Sequence, residues 1–133
     1  MTTLPFTRID HFEQLEFMYF LHHLDAPTME EIPLIGYISF IDEMPIAAAF
    51  LRRVEGGYGQ IDGLVSNPEC PGHLRHQALD IVIKKCIQDA KVLKLKNLMA
   101  FSIDVAAMAR AKRLNFVELP HCLLAIDLNS GKA

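Results

Sequence analysis

Between Leu34 and Val65 three apolar runs follow one another with only two short breaks, and that spacing leaves the chain few ways to fold. Leu34–Ile41 is rich in apolar and aromatic residues, and Asp42-Glu43-Met44-Pro45 supplies a turn. Ile46–Val54 follows, and Glu55-Gly56-Gly57 breaks the chain before Tyr58–Val65. Strands joined by turns this short pair antiparallel with their sequence neighbours, so the expectation is a meander. In the third run Ile61, Gly63 and Val65 alternate with Asp62 and Leu64, which sends the two sets to opposite faces.

Helical periodicity brackets the meander. Leu4–Arg8 reads as an extended lead-in, and Asp10 with Glu13 three residues on has the form of a capping box. Phe12, Leu15, Tyr19 and Leu24 recur at near-helical spacing, which predicts a helix over 11–24 that Pro27 stops. Phe17, Met18, Phe20 and Leu21 widen its apolar surface beyond one stripe, as in a helix that sits deep in the core or carries a contact surface. Downstream, Asn67-Pro68 ends the sheet run. Leu74, Ala78, Leu79, Val82, Ile83, Cys86, Ile87 and Ala90 then trace one stripe, with Arg75, Lys84, Lys85, Gln88 and Lys91 mostly elsewhere. This is an amphipathic helix over 73–91. Asn97–Ser102 reads as a buried strand, and a helix follows from Ile103 or Asp104 through Ala106 to Arg113. Phe116–Leu119 and Cys122–Leu128 are expected as two closing strands around Pro120. The order is mixed α/β, with a strand–helix–strand crossover over 58–102 beside antiparallel hairpins.

A length of 133 residues suits one domain spanning 1–133, since two would each lack a comfortable core. With 51% hydrophobic and 22% charged residues, a disordered or collagen-like chain is excluded. No apolar run reaches the roughly 18–20 residues that span a bilayer. MTTLPFTRID lacks the basic start and apolar stretch of a signal peptide. The expectation is a soluble cytoplasmic protein with no membrane partner. Cys70, Cys86 and Cys122 form no framework spacing and read as reduced thiols. Net charge divides sharply, with −8 over residues 1–70 and +5 over 71–133. Such asymmetry suggests a surface that binds anions.

One segment carries more than periodicity. Val65-Ser66-Asn67-Pro68-Glu69-Cys70-Pro71-Gly72 leads through His73-Leu74-Arg75-His76-Gln77 to Ala78-Leu79, and Ala107 to Phe116 follows near the end. With the element order, this resembles the GNAT superfamily of acyl-CoA-dependent N-acyltransferases, over nearly the whole chain and most clearly from Leu34 to Leu128. Members have a strand ending in Val, a Pro, and an Arg/Gln-x-x-Gly-x-Gly/Ala loop that opens the main helix. The resemblance implies a single-domain GNAT-like mixed sheet with flanking helices. It also implies acetyl-CoA or another acyl-CoA in the split between the strand ending at Val65 and that at Leu98–Ser102. Backbone amides near Leu64, Val65 and Ser66 would polarise the thioester carbonyl. Gly72, His73, Arg75, His76 and Gln77 would meet the cofactor's phosphates, and Asp62 or Glu69 would take the amine's proton. The residues also admit plainer roles. Asp62 fits a solvent-facing strand carboxylate, and Glu69 a first-turn acid favoured by the helix dipole.

Several positions depart from the pattern. Pro71, Leu74 and His76 stand where the loop has Arg/Gln, Gly and Gly/Ala, and they add bulk where amides must approach a diphosphate closely. Ala111 stands where many members have a Tyr that protonates the leaving thiolate, and Asn115 replaces a Gly in a position that a left-handed turn tolerates. Cys70, His73 and His76 are spaced by three, which rotates them around a helix by about 60° per step. Even with His121-Cys122 nearby in sequence to the end, no metal site is expected. His22-His23 suit the carbonyl end of the first helix. The basic set Lys84, Lys85, Lys91, Lys94, Lys96, Arg110, Lys112 and Arg113 lacks interleaved aromatics, so a solvated face is favoured over nucleic-acid binding. Arg52-Arg53 points one side chain to each face of its strand. The reading these departures favour is a GNAT-fold protein with a degenerate acyl-CoA loop. It would be non-catalytic or strongly altered, acting through a protein partner or as a homodimer, of the small diverged kind that phages encode. The alternative is an acetyl-CoA-dependent N-acetyltransferase that transfers directly to an amine.

Overall fold

The meander forms as its spacing predicts. The computed structural model describes residues 1–102, 104–120, 125–126 and 128. Its elements run β1 (Thr2–Pro5), α1 (Arg8–Leu21), a 3-10 turn (Met29–Glu31), β2 (Ile35–Ile41), β3 (Met44–Val54), β4 (Tyr58–Ser66), α2 (Gly72–Val92), β5 (Asn97–Met99) and α3 (Val105–Arg113). Five strands lie in the order β1-β2-β3-β4-β5. The first three pairings are antiparallel, and β5 joins β4 parallel through the α2 crossover. The chain divides into two compact units, Met1–Phe101 and Ser102–Ala133. Among the described residues no helix is long and apolar enough to cross a membrane.

β3 is apolar on both sides because both faces are covered. Ala48 and Phe50 belong to a core with Phe6, Leu15, Met18, Ile32, Ile38 and Val65, which is the α1 face. By alternation Ala47, Ala49 and Leu51 turn to the other face, where α2 buries Ala78, Leu79, Val82, Ile83, Cys86 and Ala90. The small side chains at the centre of β3 let both helices approach closely.

Phe50 fixes the sheet's finer geometry. Its side chain is 1% exposed and meets Phe6 edge-on at 4.8 Å. Gly36 lies directly across from it on β2, where a Cβ would fall 2.2 Å from Phe50 Cδ1. On the other flank Gly63 sits at φ +60, and a Cβ there would fall 2.8 Å from Phe50 Cδ2. The pairing shifts at this point, so that Ala48 opposes Val65 but Phe50 opposes Asp62. Gly63 and Leu64 together face one residue of β3, which is a β-bulge. Asn67 closes the strand. Its Nδ2 donates to Pro45 O (3.0 Å), its N–H to Ile46 O (2.7 Å), and its Oδ1 accepts from Glu69 N (2.9 Å).

Several boundaries differ from the sequence expectation, each for a local reason. The strand at the start is Thr2–Pro5, and α1 begins at Arg8 rather than after Asp10. Thr7 is its N-cap residue, and Asp10 is the acid in its first turn, accepting from Thr7 Oγ1 at 2.8 Å. The helix ends at Leu21, before Pro27 can act, because His23 turns left-handed (φ 58) and the Leu24 N–H returns to Tyr19 O. α2 and α3 end the same way, with Lys94 (φ 59) and Asn115 (φ 74) in the left-handed position. Gly72–Val92 and Val105–Arg113 match the expected helices closely, the latter capped by Asp104 on Ala107 N. β5 is shorter than the expected Asn97–Ser102. Phe116–Leu119 is not a strand; the Phe116 N–H bonds back to Ala111 O and Glu118 Oε2 lies 3.1 Å from Lys112 Nζ, which ties this segment to the end of α3. The strand expected over Cys122–Leu128 falls largely outside the described residues.

Gly36→Ala is expected to destabilise the protein by about 1–3 kcal/mol, because the buried ring cannot move aside without strain. Pairing it with Phe50→Leu should cost less than the sum of the two single changes, as urea denaturation of the four proteins in the cycle will show. A second outcome concerns Tyr37, whose hydroxyl donates to Asp89 Oδ2 at 2.5 Å. Burial first, then that bond and the Asp89 charge, push its pKa up from 10.0 to about 12. The folded state thus holds this proton more tightly than the unfolded chain. The associated stability is complete below pH 10 and is lost as pH rises towards 12, in an ultraviolet titration followed alongside unfolding.

Candidate functional site

Among the described residues β5 pairs with only Tyr58, Gly59 and Gln60 of β4, and the rest of β4 has no partner strand on that side. Beyond the bulge the Asn67 N–H bonds Ile46 O, and Val65 opposes Ala48. The alternation of an antiparallel pair then turns the Ser66 backbone groups away from β3, to the open edge. His22 Nε2 lies 2.7 Å from the Ser66 carbonyl, so the end of α1 is tied to this edge. Arg75 reaches Ser66 Oγ from α2, with Nη2 at 3.2 Å and Nε at 3.4 Å.

α2 starts one short loop later. Pro71 is its N-cap residue and supplies no side-chain cap. Leu74 and Arg75 N–H both point back to Pro71 O. The amides of Gly72 and His73 therefore have no acceptor within the helix. Gly72 is exposed, and nothing lies within 4 Å of where its Cβ would be. Open donors at a helix start suit an anion, so the first turn fits a phosphate group at Gly72 and His73. Leu74 is half-buried, and His76 is exposed with Nε2 3.9 Å from Asp80 Oδ2. Gln77 is also exposed, whereas Arg75 is engaged with Ser66. Of the expected phosphate donors, the two amides remain the most available. Glu69 is exposed and precedes α2, so it is not a first-turn acid of that helix.

On the α1 face, the bulge forms part of the wall of a cavity of about 470 Å³. Tyr19, Asp25, Glu31, Arg52 and Asp62 contribute its polar lining, and Ile32, Pro33 and Phe50 part of its apolar lining. Asp62 is bound on both oxygens. Arg52 Nε (2.7 Å) and Nη2 (2.6 Å) meet Oδ2, and the Gly63 N–H donates to Oδ1 at 2.8 Å. Arg52 Nη2 also donates to Glu31 O at 2.6 Å, which latches the 3-10 turn to the strands. Glu31 Oε1 accepts from both the N–H and the hydroxyl of Thr28, each at 2.9 Å, and these bonds hold its carboxyl below the usual range. Burial first, and then the Asp62 charge, push the Tyr19 hydroxyl up, so it stays protonated.

The expected residues thus separate into two places. Asp62 lines the cavity, and Leu64, Val65, Gly72, His73, Arg75, His76 and Gln77 follow along the β4 end and the α2 start. Glu69 lies on the connecting loop and is not part of the cavity lining. Ala111 is in α3, in the second unit. Among the described residues no three His, Cys, Asp or Glu side chains come together in a way that could hold a metal ion. Sequence reading missed Tyr19, His22 as a strand-edge contact, Asp25 and Glu31. One signal was available, because Thr28-Met29-Glu30-Glu31 has the spacing of a capping box, and the box forms.

No family model matches the chain, and no curated protein matches it in sequence. Solved structures do. A GNAT-family acetyltransferase from Streptococcus pneumoniae superposes with TM-score 0.71 at 14% identity, over 97% of this chain and 98% of its own. A Mycobacterium tuberculosis protein in complex with CoA gives 0.73 at 13%, over 94% of this chain and 76% of its own. The aminoglycoside antibiotic 6'-N-acetyltransferase of Acinetobacter haemolyticus gives 0.68 at 15%, over 96% and 98%. At identities this low the likeness is one of fold, and the fold of this chain is that of the GNAT acetyltransferases.

Proposed function

We propose that the chain is an acyl-CoA-dependent N-acyltransferase with an altered cofactor loop. The observation that carries this reading is the unpaired β4 edge, which runs from the cavity at Asp62 and Gly63 to the uncapped first turn of α2. The acyl-CoA, with acetyl-CoA the simplest case, would lie along that edge, with phosphate at the Gly72 and His73 amides. The CoA complex of the M. tuberculosis neighbour supports a thioester cofactor for this fold. An amine entering through the cavity would attack the thioester carbonyl carbon. The C–N bond forms, the C–S bond breaks, and the proton that the amine loses is passed on to the departing sulfur, so that CoA leaves as the thiol. Asp62 Oδ1 keeps a lone pair beyond the one Gly63 uses, which suits it to receive that proton through water.

A second reading is favoured by other residues. Leu74 and His76 add bulk at the start of α2, and Ile9, Phe17, Phe20 and Leu24 are exposed on or beside α1. In that reading the chain binds no acyl-CoA and acts through contacts with a protein partner or a second copy.

Acetyl-CoA titration separates the two. Ligand at 100 times its dissociation constant adds about 2.7 kcal/mol, an easily seen rise in melting temperature. Leu74→Gly and His76→Gly should each bind the cofactor more tightly, judged against each variant's own unliganded melting point because helical Gly itself costs about 1 kcal/mol. No shift at millimolar acetyl-CoA would leave the contact reading, and light scattering would then report the oligomeric state.

A further inference from the structure

We propose that the cavity on the α1 face takes a flexible aliphatic diamine or polyamine, an amine with a second cationic centre and no carboxylate. For what becomes of the amine this rests on the acyltransferase reading. For binding it rests on the cavity alone.

The cavity is half-open to solvent, with Asp25 and Glu31 exposed and Asp62 half-buried in its lining. At about 470 Å³ it lies within the range of small-molecule sites. Asp25, Glu31 and Asp62 contribute carboxylates to its wall, and among the described residues that line it Arg52 is the only cation. A guanidinium in such a place is the usual partner of a substrate carboxylate, because its fork matches the two oxygens. Here it is already spent. Nε and Nη2 both close on Asp62 Oδ2, and Nη2 also donates to the Glu31 carbonyl. With this one guanidinium bound to Asp62, the three carboxylates of the lining leave two negative charges in excess.

The Glu31 bonds come from Thr28, a neutral donor, which holds the carboxylate in place, and the Arg52 charge acts on it only as a lesser influence. Between these carboxylates the lining is apolar, with Ala26, Pro27, Ile32, Pro33 and Phe50. A methylene chain with an ammonium at each end fits such a surface, since its body is apolar and its two charges match the two left over. The Tyr19 hydroxyl adds an oxygen that can accept from an ammonium. An amino-acid acceptor would bring a carboxylate towards Asp25 and Glu31 with no cation free to receive it. Repulsion of that kind discriminates as strongly as attraction does.

The test uses 1,5-diaminopentane and lysine, which differ by one carboxylate on the same carbon chain. Each is titrated calorimetrically into the full chain, without CoA and at low salt. The expected result is diamine binding at least tenfold tighter than lysine. Asp25→Asn and Glu31→Gln should each weaken the diamine about fivefold or more, while acetyl-CoA binding stays unchanged. Gln retains the capping-box acceptor for Thr28, so Glu31→Gln keeps the local fold. Equal affinity for lysine and the diamine, or diamine binding that neither substitution weakens, overturns the proposal, as does no diamine binding at millimolar concentration. The two readings fail separately. Acetyl-CoA binding without diamine binding sinks this inference alone, and diamine binding without acetyl-CoA binding sinks the acyltransferase alone.

Discussion

The ring of Phe50 occupies space that only two glycines leave open, and much of the Met1–Phe101 unit follows from it. Gly36 on β2 and Gly63 on β4 flank the ring, and a side chain at either would overlap it. Gly63 answers a second demand as well, because its left-handed backbone makes the bulge that resets the β3–β4 register. Burying a phenylalanine is worth roughly 1.5–3 kcal/mol, so this contact is substantial on the scale of a small protein's stability. The same ring is part of the cavity lining and packs edge-on against Phe6 beneath α1. Core packing and site geometry are thus a single problem in this protein.

Past the bulge, three elements converge on Ser66. Its carbonyl accepts from His22 at the end of α1, its hydroxyl accepts from Arg75 in α2, and its own strand ends at the buried Asn67. The Ser66 carbonyl is the group that the antiparallel alternation past the bulge turns away from β3, whereas Asn67 bonds back to β3 at Pro45 O and Ile46 O. Buried polar groups are stable only when partnered, so the edge is defined on both flanks by bonds with directional demands. A preorganised edge of this kind is what an oxyanion donor requires, since its amides must not reorient during reaction.

How much of this was legible in the sequence depends on whether the cause was local. The three strands of the meander and α2 were readable because apolar runs, turn residues and a 3.6-residue stripe are properties of adjacent residues. α1 was shifted in frame because Thr7, not Asp10, is its N-cap residue, and its stop at His23 required a left-handed residue that is not glycine. Phe116–Leu119 has the composition of a strand, but the Phe116 N–H bond to Ala111 O and the Lys112–Glu118 ion pair tie it to the end of α3. The cavity was the least legible feature. Asp62 lies more than thirty residues from Asp25 and Glu31, and the latch of Arg52 ties it to Glu31 by reaching Asp62 diagonally across β3–β4. The bulge decides that diagonal, and no periodicity reports a bulge.

The charge split of the sequence acquires a physical meaning from this arrangement. Every cavity carboxylate comes from the acidic first 70 residues, whereas α2 exposes Lys84, Lys85 and Lys91 from the basic remainder. An acyl transfer of the proposed kind joins a cationic amine to a cofactor rich in phosphate, and each would be repelled by the other's surface. β4 lies at the boundary, with the cavity at Asp62 and Gly63 and the start of α2 just beyond Ser66. About three residues of strand, on the order of 10 Å at the strand rise of 3.3 Å per residue, separate Gly63 from Ser66. The exposed lysines of α2 begin twelve residues into the helix, further still from the cavity, so at physiological salt screening attenuates each field at the other's site. In the proposed reaction, opposite charges in the two halves of the chain would help to bring unlike substrates to one strand edge.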